Sequence, residues 1–124
     1  MNEETRRQNT ILAEVGASAD HRLWRNFAGA PWVGRYVGTT TEGHVLLADA
    51  RKISTGLVTG ASDLVGIGPG GRFMGLEVKV PGERPKPHQR GWLELIQGLG
   101  GVGAVVNSPE HARTILDLMR EGKV

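Results

Sequence analysis

Hydrophobic and polar positions alternate with different periods along the chain, and these periods predict its elements. In residues 3–15, Ile11, Leu12 and Val15 make an apolar edge on an otherwise polar stretch, and Gly16 follows. This pattern predicts a first helix that stops at the glycine. Residues 21–27 alternate as a strand does, with Leu23 and Phe27 on one face and Trp24 and Asn26 on the other. Gly29-Ala30-Pro31 marks a turn. Residues 32–37 and 44–47 then read as a hairpin around the loop Thr39-Thr40-Thr41-Glu42-Gly43. Residues 49–59 have weak periodicity and read as a loop with a short strand or helical turn.

The second half is patterned more sharply. Residues 63–67 and 73–80 are apolar runs separated by a glycine-rich turn, which predicts another hairpin. The turn contains Gly66-Ile67-Gly68-Pro69-Gly70-Gly71, a match to the G-x-G-x-x-G string. That fingerprint needs a helix opening at its third glycine, whereas a strand-like run follows here, so a dinucleotide site is rejected. The proline-rich residues 81–87 form an extended connection to a helix begun by Pro87, in which Trp92, Leu95, Ile96 and Leu99 fall at the spacing of a buried stripe. Gly100-Gly101 ends that helix, and residues 102–106 read as a buried strand, parallel to its partner if the helix is a crossover. Ser108-Pro109-Glu110 opens a last helix with Ala112, Ile115, Leu116 and Met119 on its core face. The order is helix, several antiparallel strands, helix, strand, helix. It predicts one α/β domain over residues 1–124, with a mixed sheet flanked by helices.

The second hairpin also concentrates the candidate chemistry. Residues two apart in a strand share a face, so Glu77 and Lys79 lie side by side, and pairing across the turn can bring the Asp63 carboxylate next to that of Glu77. Two adjacent carboxylates repel, so they share a proton or hold a cation. Oxygen-only ligands suit Mg²⁺ or Mn²⁺, and Lys79 beside them can stabilise negative charge on a phosphodiester in its transition state. The bland counterpart is a Glu-Lys pair on the solvated face of an ordinary strand. Trp24, Arg25, Asn26, Trp32 and Arg35 mix aromatic and basic types as nucleic-acid surfaces do. Against this, the two tryptophans read rather as core residues with the arginines on the solvated side. Arg22, Arg25 and Arg35 are candidate phosphate contacts, and Arg51, Lys52, Arg84 and Lys86 extend the basic set.

Composition narrows the classes. The 124 residues include no cysteine, which excludes disulfides and fits a reducing, intracellular setting, and the four histidines are dispersed, which argues against a zinc site. A net charge of +2 is weak evidence for nucleic-acid binding unless the basic residues cluster. No apolar run has the length of a membrane span, and the N-terminus does not read as a signal peptide.

Ser62-Asp63, then Glu77-Val78-Lys79 one hairpin later, then Gln89 at a helix start, resembles the PD-(D/E)XK nuclease superfamily. More closely it resembles the virus-type replication-repair nuclease (VRR-NUC) domain, including Leu23-Trp24-Arg25-Asn26, the Gly60-Ala61-Ser62-Asp63-Leu64-Val65-Gly66 turn and Pro85-Lys86-Pro87-His88-Gln89. Ser62 stands where the superfamily name has proline. The resemblance implies a restriction-endonuclease-like α-β-β-β-α-β core and a metal-dependent deoxyribonuclease. In that reading Asp63, Glu77 and the Val78 carbonyl hold Mg²⁺ or Mn²⁺, and Lys79 is the catalytic lysine. Gln89 is a supporting polar residue, and Glu14 is the acid of the first helix, acting directly or through water. It further implies branched DNA such as four-way junctions as substrate, a homodimer, no membrane partner, and a cytoplasmic protein encoded by a phage, prophage or bacterium. The rival expectations are a non-catalytic nucleic-acid-binding module on the same fold and a hydrolase of small phosphoesters.

Overall fold

The structure is a computed structural model that describes residues 1–27 and 29–124. Its elements in chain order are α1 (Glu3–Val15), β1 (Arg22–Arg25), β2 (Trp32–Thr39), β3 (Val45–Lys52), β4 (Leu64–Ile67), β5 (Phe73–Val78), α2 (Pro87–Gly98), β6 (Val102–Val106) and α3 (Pro109–Arg120). Where the sequence reads as one domain, the chain divides into two compact units. One joins Met1–Asn26 to Val58–Val124, and the other is Phe27–Leu57.

The larger unit is a four-stranded mixed sheet in the order β1-β4-β5-β6. β1 runs antiparallel to β4 and β4 antiparallel to β5, whereas β6 is parallel to β5. A parallel pair needs a crossover, and α2 supplies it. The alternation of β5 decides what lies on each face. Met74, Leu76 and Val78 are fully buried in one cluster with Ile11 and Val15 of α1 and Ala112, Leu116 and Met119 of α3. Gly75 and Glu77 therefore face the other way, towards α2. A Cβ at Gly75 would sit 2.5 Å from the Trp92 ring, so the missing side chain is what lets α2 seat its indole on the sheet. The β4–β5 turn is a single 3₁₀ turn, Pro69–Gly71, closed by the Gly68 N–H donating to the Arg72 carbonyl at 2.7 Å. No amide row opens a helix there, in keeping with the rejected dinucleotide reading.

Helix boundaries follow the caps. Asn2 accepts from the Thr5 N–H at 2.8 Å to open α1, and Ser108 accepts from the His111 N–H at 3.1 Å to open α3 with Pro109 in its first turn. The α2 stripe departs from expectation. Trp92 and Leu93 are buried and Ile96 half-buried, but Leu95 and Leu99 are exposed. Leu93 takes their place because Gly103 of β6, like Gly75, leaves room: a Cβ there would lie 2.7 Å from the Leu93 carbonyl oxygen.

The smaller unit is the two-stranded antiparallel sheet β2–β3 with its flanks. β3 runs on to Lys52, so residues 49–52 are the short strand that the reading of residues 49–59 allowed for, joined here to the preceding strand. Their weak alternation has a cause in the pairing: register shifts interrupt the ladder twice, and Asp49 takes a left-handed φ of 54°. Trp32 lies in this sheet at 60% exposure and Trp24 in β1 at 53%, so neither is a core tryptophan. Among the described residues, no helix is long and apolar enough to cross a membrane.

Candidate active site

Asp63 stands one residue before β4, and the β4–β5 register places it. Leu64 is opposite Leu76, so one further step puts Asp63 opposite Glu77, with both side chains on one face. The segment is pinned from β1's end. The Asn26 N–H donates to the Asp63 carbonyl at 2.8 Å and the Asn26 amide to the Ser62 carbonyl at 3.2 Å. Ser62, wholly buried, donates from Oγ to the Leu64 carbonyl at 2.9 Å. Asp63 Oδ2 in turn accepts the Val78 N–H at 2.9 Å. In an extended strand a residue's N–H and C=O point to the same edge, so the Val78 carbonyl also points past the start of β4 towards Asp63.

Glu77 is 1% exposed. Gln89, in the first turn of α2, donates from Nε2 to Glu77 Oε1 at 3.3 Å while its own Oε1 accepts the Lys86 N–H at 2.8 Å. Gln89, Trp92, Leu93 and Ile96 follow the i, i+3, i+4, i+7 spacing, so the stripe that seats α2 also aims Gln89. Glu77 Oε2 is buried with no hydrogen-bond partner. Burial, the adjacent Asp63 carboxyl and the more distant Glu4 charge push the Glu77 carboxyl up to about 8, with Lys79 opposing them.

Lys79 continues β5, its N–H donating to the Val106 carbonyl at 3.0 Å. Its ammonium is 3.5 Å from Glu4 Oε1. The α1 acid at this site is thus Glu4, and the expectation for Glu14 is corrected. Glu14 is exposed and lines a different cleft with Leu12, Arg22 and Trp24. Ten residues of α-helix separate the two carboxylates, a rise of about 15 Å. At 100° per residue, Glu4 lies about 20° from the buried Ile11 around the helix and Glu14 about 60°. That helical phase was the signal available in the sequence for Glu4.

Three carboxyls, Glu4, Asp63 and Glu77, therefore meet one ammonium, Lys79. The excess of negative charge, the orphaned Glu77 oxygen and the Val78 carbonyl are an all-oxygen set that suits a hard cation. Among the described residues no group of three or more acidic, histidine or cysteine side chains has metal-ligating spacing. A cation held by Asp63 and Glu77 would complete its shell from main chain, water and substrate, as Mg²⁺ habitually does.

The expected DNA contacts are distributed over several elements and both units. Arg22 donates to the Ser18 and His21 carbonyls, and Arg25 to Gln8 and Asn9 of α1. Asn26 supports the Ser62-Asp63 segment. Arg84 and Lys86 lie exposed on the connection leading to α2, and Arg35, Arg51 and Lys52 belong to the smaller unit. Compared with protein-family models and with curated proteins, the chain matches none.

Proposed function

We propose that the protein is a Mg²⁺- or Mn²⁺-dependent deoxyribonuclease of the PD-(D/E)XK type, related to VRR-NUC domains. The observation that carries this reading is the meeting of Asp63, Glu77 and Lys79, fifteen or so residues apart in sequence, at one end of the β4–β5 pair with Gln89 and Glu4 around them. The element order of the larger unit supports it: helix, three antiparallel strands, crossover helix, parallel strand is the α-β-β-β-α-β order that the resemblance implies.

Each side chain then has a part in phosphodiester hydrolysis. Asp63, its Oδ2 fixed by the Val78 N–H, and Glu77, its Oε1 fixed by Gln89, would hold the cation together with the Val78 carbonyl. When bound, the cation supplies Lewis-acid stabilisation of charge on phosphate oxygens. Lys79 places a buried positive charge next to the same point, where a low dielectric strengthens its pull on a developing phosphorane-like oxyanion. Glu4 holds the ammonium in position as a counter-charge. Gln89 and Asn26 touch no substrate atom in this scheme; they keep the two carboxylates where they are. The resemblance extends the proposal to branched DNA, such as four-way junctions, cut by a homodimer.

The test is cleavage of labelled four-way-junction, flap, duplex and single-stranded DNA with Mg²⁺, Mn²⁺ or EDTA. Cutting should need the metal, and Asp63→Ala or Lys79→Ala should lower the rate by about 10²–10³-fold or more while the fold is kept. Glu4→Gln should reduce cutting and Glu14→Gln should leave it unchanged. Cutting by Lys79→Ala at the wild-type rate would remove the assignment. DNA binding without cutting of any substrate would replace it with the non-catalytic module.

A further inference from the structure

The two faces of the four-stranded sheet are covered unequally. On one face Leu23, Leu64, Met74 and Val102, one from each strand, are buried in the cluster with α1 and α3. On the other, α2 packs on β5 and β6, with Trp92 over Gly75 and Leu93 against Gly103. A helix is about 10 Å across, the width of two strands, so α2 leaves β1 and β4 open on this side. Because Leu23 points into the core, its neighbours Arg22 and Trp24 stand on the open half. Trp24 of β1 and Ile67 of β4 are 53 and 51% exposed there.

The open half leads straight to the carboxylates. Trp24 pairs with Val65, and Asp63 stands two residues before Val65 on the same face. Trp24 is therefore the diagonal cross-strand neighbour of Asp63, about 7–8 Å away and within reach of an aromatic side chain. Arg22 shares the face one step further along β1, opposite Ile67. Among the described residues its guanidinium donates only to the main-chain carbonyls of Ser18 and His21, so no carboxylate offsets its charge. Whatever occupies the Asp63–Glu77 site and extends over the open half must lie across the indole of Trp24.

The chemistry of this strip selects the form of the strand. A duplex offers a protein its phosphates and asks for a row of cations in return. Here Arg22 is the one cation among Trp24, Val65 and Ile67. Bases in a duplex are stacked on each other, so an indole can stack only on a base that is unpaired. An aromatic platform beside a cation that follows the backbone is how single strands are held. We propose that Trp24 is a base-stacking residue of this site: it takes the unpaired nucleobase next to the phosphate at Asp63 and Glu77, while Arg22 contacts the phosphate beyond it. The inference rests on the nuclease reading for the course of the strand. It also narrows that reading, since the arms of a four-way junction are paired and the nucleotide beside this cut is not.

The experiment is fluorescence anisotropy of the full chain, in EDTA at low salt, with wild type, Trp24→Ala and Trp24→Phe. The probes are a labelled oligothymidylate of about 20 nucleotides, longer than one single-strand site, and a duplex of the same length. Trp24→Ala should weaken oligothymidylate binding about tenfold (about 1.4 kcal/mol), within the range of one base–aromatic stack. Trp24→Phe keeps an aromatic face and should weaken it by less, and the duplex should be bound as before by all three. In cleavage, one abasic nucleotide beside the cut should slow the wild type about tenfold and leave Trp24→Ala no slower than it already is. Equal oligothymidylate binding by wild type and Trp24→Ala would overturn the inference. So would an equal loss on the duplex, or no oligothymidylate binding by the wild type at about 100 μM, the weak limit of non-specific binding. Cutting that needs Asp63 but ignores Trp24 would keep the nuclease reading and remove this one. Trp24-dependent binding by a protein that cuts nothing would remove the nuclease reading and keep Trp24 as a base-stacking residue.

Discussion

At the scale of single residues, the Glu77 carboxyl is held protonated to about pH 8 by burial first, then by the neighbouring Asp63 carboxyl. In the unfolded chain the same group titrates near its ordinary value of 4.5. Between these two values the folded state binds more protons than the unfolded state, so stability falls as pH rises through that window. Below it both states are protonated and the dependence vanishes. We expect the metal-free protein to lose up to a few kcal/mol between about pH 5 and 8. Urea unfolding in EDTA across that range, for wild type and Glu77→Gln, checks this. The wild-type slope should be steeper, and a constant difference between the two proteins would show that Glu77 does not titrate there. Added Mg²⁺ should restore stability chiefly at the alkaline end, because a cation competes with the proton for the same oxygens.

Elements turn those side chains into a site, and the decisive contacts are close backbone approaches. Gly75 puts the β5 backbone against Trp92, and a Cβ there would also lie 2.6 Å from the buried Ser62 Oγ. One position thus ties α2, which carries Gln89, to the segment that carries Asp63. Gly75→Val should destabilise by about 1–3 kcal/mol through overpacking. On the proposed nuclease reading it should also lower cleavage in the fraction that stays folded, because α2 must shift and Gln89 with it. Denaturant midpoints with activity measured well below the transition separate the two effects. An unchanged midpoint would mean that Trp92 swings aside freely. α3 is tied from its far end, where Arg120 donates to both oxygens of Asp20 at 2.8 Å. That guanidinium holds the Asp20 carboxyl well below the usual carboxylate range.

On the scale of the whole chain, the two units differ in how their strands are supported. β4 and β5 lie inside a four-stranded sheet, and β5 buries five of its six residues, whereas among the described residues β2 and β3 pair only with each other and have no fully buried residue. Amides with few buried apolar contacts exchange through low-energy openings. Hydrogen exchange should therefore be fast in β2 and β3 and slow in β4 and β5, by orders of magnitude in rate. Exchange mass spectrometry at peptide resolution tests this. Uniform protection across both units would contradict the contrast.

Local patterning alone determined a good deal. The extent of α1, the Ser108-Pro109 start of α3, the β4–β5 hairpin and the parallel β6 are all legible, because caps, turns and periods are short-range properties. The adjacency of Asp63 and Glu77 is legible for the same reason: it needs only a two-residue period and a hairpin. Choices among equivalent local patterns were left to tertiary structure. Leu93 rather than Leu95 and Leu99 faces the sheet, because Gly75 and Gly103 open space beneath Trp92 and Leu93. Glu4 rather than Glu14 meets Lys79, because the partner's position selects one turn of α1. Asn26 is bound to Ser62 and Asp63, a contact across 36 residues that no local pattern encodes. The raised Glu77 carboxyl likewise comes from burial and from neighbours brought close only by folding.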